Sequence, residues 1–217
     1  MKNSSLLFLL WIALMPSNLF AQENDPEAEA ILKKVSQKYE AQRNLKADFE
    51  FVLESRVDDL KEVNEGTLHM QGDKFHITLG EYELICDGKS MWTFSKEDNM
   101  VEVNDYIPEE EEIDPRQIFK MHEEGFLYVH LGDKAHNGKT VQVIEMTPIE
   151  KEEKSFFKVR LLIDKASSEI VESKVFEKQG MIYTYRIKSQ QSNIDMPNSK
   201  FTFDSSKHPD VDVLDLR

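Results

Sequence analysis

Period-two alternation of apolar and polar residues, broken every few residues by a turn dipeptide, is the feature that most limits what this chain can become. From Leu45 onward Ala47, Phe49, Phe51 and Leu53 point one way, while Lys46, Asp48, Glu50 and Glu54 point the other. Only Val52 interrupts the pattern. A strand with one wet face and one apolar face belongs in an antiparallel sheet. Similar segments follow at 66–71, 74–79, 81–86, 90–95, 100–103, 126–131, 140–146, 156–163, 170–177, 181–189 and 200–203. Turn chemistry separates most of them, at Gly72-Asp73, Asp87-Gly88, Asp98-Asn99, Asn137-Gly138 and Gln179-Gly180. This spacing predicts about ten or eleven antiparallel strands in a sandwich or barrel. In the hairpin at Asp87-Gly88-Lys89, a two-residue loop would put Trp92 opposite Glu83, whereas the preferred three-residue loop pairs Leu84 with Trp92 and Tyr82 with Phe94, gathering the large side chains on one face.

Two helices are expected beside the strands. Asp25-Pro26-Glu27 reads as an N-cap, a first-turn proline and a first-turn acid, and Ala28, Ile31, Leu32, Val35 and Tyr39 follow at helical spacing. This apolar stripe must cover something greasy. Further on, four consecutive glutamates precede Asp114-Pro115, which caps a shorter helical stretch holding Ile118, Phe119 and Met121. That stretch reads either as a packing helix after a solvated loop or as a movable lid.

The first 21 residues carry Lys2, an apolar run from Leu6 to Met15, and Ala21 before the polar Gln22. This is the layout of a cleavable signal peptide, too short for the roughly 20 apolar residues of a membrane span. The expected mature chain is a single domain over residues 22–217, exported to the periplasm and soluble, because no Cys near the cut is available for lipidation. A single cysteine, Cys86, excludes an intramolecular disulfide, so stability must come from packing. The net charge of −14 argues against nucleic acid or anionic headgroups as partners.

Catalytic spacing is missing. His122-Glu123 lacks the second histidine of a zinc helix, no nucleophile elbow or phosphate-binding glycine loop occurs, and carboxylates are too numerous to single out a pair. No catalytic residue, metal or cofactor is expected, and the chain reads as a binding protein, not an enzyme. Aromatic and methionine residues concentrate in the first half, which suits a sheet curled under an amphipathic helix around adaptable apolar volume.

The order Ile31-Leu32-x-x-Val35, Ala47-Asp48-Phe49, Glu65-Gly66-Thr67-Leu68, Lys74-Phe75, Asp87-Gly88-Lys89-Ser90-Met91-Trp92, Lys188-Ser189-Gln190-Gln191 and Lys200-Phe201-Thr202-Phe203 resembles the LolA family of periplasmic lipoprotein carriers. The resemblance implies a mainly β fold with helices, an unclosed antiparallel β-barrel covered by a helical lid. It also implies a monomeric carrier that takes acylated lipoproteins from an inner-membrane releasing complex to an outer-membrane receptor. The implied acyl groove would be lined by Val35, Tyr39, Phe49, Leu68, Phe75, Ile77, Leu84, Trp92, Ile118 and Phe119. Where family members place an Arg that ties lid to barrel, this chain has Gln71-Gly72-Asp73, so lid closure would need other groups. A related lipid-sensing module without a transport role is the alternative reading, and a secreted interaction domain whose apolar face is simply core is a third.

Overall fold

The computed structural model describes residues 24–107, 125–150, 152 and 154–217. Helix α1 (Pro26–Glu40) begins as its residues dictate, with the Asp25 carboxylate accepting from the Glu27 N–H at 2.9 Å and Pro26 in the first turn. Twelve strands follow: β1 (Leu45–Ser55), β2 (Lys61–Gln71), β3 (Lys74–Leu79), β4 (Tyr82–Cys86), β5 (Ser90–Ser95), β6 (Met100–Asp105), β7 (Phe126–His136), β8 (Lys139–Pro148), β9 (Phe156–Asp164), β10 (Ile170–Glu177), β11 (Met181–Ser192) and β12 (Asp212–Asp215). They form one sheet in the order β12-β6-β5-β4-β3-β2-β1-β11-β10-β9-β8-β7, with the long β1–β11 ladder at its centre. Among the described residues β7 and β12 each have a strand neighbour on one side only, so the sheet is unclosed.

Two sequence expectations are corrected by the strands. Ten or eleven were expected and twelve are found, because β12 is short, exposed along its whole length and pairs in parallel with β6, with no alternation to announce it. Residues 200–203, expected as a strand, instead close a 3₁₀ turn at Asn198–Phe201 after Pro197, which drops Phe201 into a fully buried position. The expected second helix, within 108–124, and the expected signal peptide, at 1–21, both lie outside the described residues.

A third correction concerns register. The β4–β5 hairpin pairs Ile85 with Trp92, Leu84 with Thr93 and Cys86 with Met91, one residue away from the expected pairing. The cause is local: the Asp87 carboxylate accepts from the N–H groups of Lys89 and Ser90, both at 2.9 Å, and Gly88 takes a φ of +92°. This Asx-type turn closes the loop on Gly88-Lys89. A one-residue slip turns every following side chain to the other face, so Trp92 and Phe94 point away from Leu84.

The two faces of the sheet are built differently. α1 lies on the inner face over β7–β10, where Ala28, Ile31, Leu32, Val35 and Tyr39 pack on Tyr128, Ile144, Met146, Val159, Leu161 and Ile163. On the outer face of the β3–β6 half, the C-terminal segment returns across the sheet. There the Phe94 ring lies 5.2 Å from Phe203 and 4.4 Å from His208, and His76 bridges the Lys200 carbonyl and the Glu83 carboxylate at 2.9 Å each. The outer face of the other half is charged and paired: Arg186 joins Glu50 to Glu172, and Arg160 and Lys158 share Glu145. These paired charges share that face with a small buried apolar cluster of Val141, Val143 and Leu162.

Candidate functional site: the uncovered half of the inner face

Among the described residues, α1 is the one helix on the inner face, and it covers only part of it. On the remainder, contributed by β1–β5 and β11, a second apolar cluster is built on Ala47, Phe49, Leu68, Phe75, Cys86 and Met91. Its floor is buried, with Phe75 at 1% exposure. Its upper layer is only half-buried: Phe51, Ile77, Leu79, Leu84, Tyr185 and Ile187 pack on that floor. A row of large apolar side chains that is neither core nor fully exposed is the signature of a binding surface. Met70 packs against both clusters and marks the seam between the covered and uncovered halves.

The register explains the grouping. Phe49, Phe51 and Leu53 face Ile187, Tyr185 and Tyr183 across β1–β11, while Leu68, Ile77 and Leu84 lie in line across β2, β3 and β4. The aromatic part is dense: the Phe51 ring sits 5.1 Å from Tyr185 and 6.0 Å from Tyr183, and Phe49 sits 6.0 Å from Tyr185. Every side chain of this second cluster is uncharged. Burial pushes the Tyr185 hydroxyl up to about 12, so it stays protonated.

At the seam, a cleft of about 220 Å³ opens between the last turn of α1 and the β2–β3 turn, lined by Tyr39, Leu45 and Met70 with a polar rim that includes Arg43 and Asp73. Arg43 comes from the α1–β1 loop, while the β2–β3 turn carries Gly72-Asp73 and no Arg.

Of the ten residues expected to line a groove, five share this uncovered face: Phe49, Leu68, Phe75, Ile77 and Leu84. Val35 and Tyr39 lie beneath α1 in the first cluster, at 2% and 8% exposure. The Tyr39 hydroxyl donates to Gln190 at 3.1 Å. Trp92 is on the outer face, carried there by the β4–β5 register. Ile118 and Phe119 lie outside the described residues. Phe51, which alternation alone places in the packed interior, is half-buried on the groove. Residues the sequence reading passed over are Leu79, Tyr185 and Ile187, although the alternation Tyr183-Thr184-Tyr185-Arg186-Ile187 carried the signal. Among the described residues no group of three or more His, Cys, Asp or Glu side chains could hold a metal ion.

An unclosed antiparallel sheet with one helix across half of its inner face and an apolar, half-buried remainder defines the class. The model of the family described as outer membrane lipoprotein carrier protein LolA matches residues 40–204, and the chain belongs to that family. An uncharacterized protein of Methanocaldococcus jannaschii is 24% identical over 179 residues, 81% of this chain and 51% of that protein. The chain thus spans about half the length of the curated relative it matches. An uncharacterized conserved protein from Thermus thermophilus shares the fold with a TM-score of 0.58 at 10% identity, over 87% of this chain and 99% of the other. A LolA superfamily protein from Nitrosomonas europaea aligns with a TM-score of 0.44 at 12% identity, over 81% of this chain and 97% of the other.

Proposed function

We propose that the protein is a carrier that holds the acyl chains of lipoproteins on the uncovered half of its inner face and performs no chemistry on them. The observation that carries this reading is the half-buried layer of Phe51, Ile77, Leu79, Leu84, Tyr185 and Ile187 on an uncharged floor. Hydrocarbon laid there would leave water without displacing any ion pair. Membership of the LolA family supports the same cargo. In this reading the chain is exported by cleavage after Ala21, works in the periplasm as a monomer, and moves lipoproteins from an inner-membrane releasing complex to an outer-membrane receptor.

The test is a series of acyl probes from eight to sixteen carbons. Each methylene removed from water contributes up to about 0.8 kcal/mol, so the dissociation constant should fall up to about fourfold per carbon until the groove is full. A flat series would overturn the reading. Export is tested separately, since N-terminal sequencing of the secreted form should begin at Gln22.

A further inference from the structure

The uncovered inner face contains one polar group whose state is unlike its neighbours'. Tyrosine rings packed among apolar side chains normally turn the hydroxyl toward a protein partner or water. Tyr39 donates to Gln190 on the covered half of the face. Tyr185 differs. Its ring is packed against Phe49 and Phe51, and among the described residues its hydroxyl makes no hydrogen bond. The register sets it opposite Phe51 in the middle of the β1–β11 ladder, inside the surface on which a chain would lie.

We propose that the Tyr185 hydroxyl is the polar anchor of this groove, donating a hydrogen bond to the carbonyl oxygen of a bound acyl ester or amide. The site thereby selects acyl groups over plain alkyl chains of equal length. This inference rests on the acyl-binding reading above and adds to it a recognised atom. A neutral carbonyl fits better than a free carboxylate. The surrounding cluster carries no charge, so a ligand carboxylate would be desolvated there with no counter-ion, whereas a carbonyl needs only one donor. Tyr183, two residues earlier, stacks on Phe51 and has contacts of its own, which makes it the natural control.

The experiment compares 1-O-dodecylglycerol ether with the dodecanoyl glycerol ester, which differ by the carbonyl, on the full mature chain. Wild type should bind the ester about three- to tenfold tighter, the range expected of one hydrogen bond. Tyr185→Phe should erase that preference by weakening only the ester, with ether affinity and melting temperature unchanged, and Tyr183→Phe should keep it. Equal binding of both ligands by wild type overturns the anchor, as does a preference that survives Tyr185→Phe or disappears in Tyr183→Phe. Equal weakening of both ligands in Tyr185→Phe also overturns it, since that would be a packing role. If neither ligand binds with an affinity that rises with chain length, the acyl reading itself fails and the anchor with it.

Discussion

Gly66 sits directly opposite Phe49 in the β1–β2 register, and the Phe49 ring fills the space a side chain at position 66 would need. A Cβ there would fall 2.3 Å from Phe49 Cζ and within 2.9 Å of two further ring atoms. The backbone at Gly66 is ordinary, so the requirement for glycine comes from close approach alone. Gly66→Ala should therefore cost about 1–3 kcal/mol of folding stability by overpacking. In a Phe49→Ala background the same substitution should be nearly neutral, and a double-mutant cycle by urea denaturation checks the coupling.

Phe75 and Phe51 occupy the same face at different depths. Phe75 is buried in the floor and Phe51 is half-buried above it. Phe75→Ala should cost about 3–5 kcal/mol, and Phe51→Ala only about 1–2 kcal/mol while weakening acyl binding. Paired melting and binding titrations of the two variants decide this, and equal destabilisation would move Phe51 into the core.

Two groups on the outer face of β2–β4 should make stability fall in separate acid windows. Burial pushes His69 down to about 4, so as pH drops from 6.5 toward 4 the unfolded chain takes up its proton first and stability is lost. The His76 hydrogen bond, with Lys96 beside it, holds Glu83 down to about 2, so its contribution is full above the ordinary carboxylate range and is lost as pH falls from about 4.5 to 2. Urea midpoints across pH should show both steps. His69→Gln should flatten the first and Glu83→Gln the second.

Arg186 lies between Glu50 and Glu172, and Glu172 is 7% exposed. Arg186→Leu leaves the nearly buried Glu172 carboxylate with only the Lys174 ammonium at 3.9 Å and should cost about 1–3 kcal/mol, whereas the double variant with Glu172→Leu should recover most of it. Thermal melts of the two variants test this.

Much of the architecture could be read from residue order. Asp25-Pro26 announced α1, and the period of two in Leu45–Leu53 announced β1 with its correct faces, because both signals are local. What failed depended on distant chain or on one turn. The C-terminal segment gives Ile85, Phe94, Val101 and Phe201 an apolar environment on the outer face, so hydrophobicity there could not tell groove from second core. Trp92 fell on the wrong side because pattern alone could not see that the Asp87 carboxylate would claim the Lys89 and Ser90 amides. The half-burial of Phe51 and Tyr185 depends on how far α1 reaches, which no strand pattern encodes.

The free edge of β7 is occupied by the two residues that precede α1. The Asp25 N–H donates to the Tyr128 carbonyl at 3.2 Å, the Tyr128 N–H donates to Asn24 Oδ1 at 3.0 Å, and the His130 N–H donates to Asp25 Oδ2 at 2.9 Å. These contacts blunt an edge that would otherwise recruit strands from other molecules. A chain trimmed to begin at Pro26 would keep its helix stripe and its groove yet present a bare, self-complementary margin. Proteolytic wear of a few N-terminal residues should therefore convert a dispersed protein into one that aggregates before it loses its ability to fold.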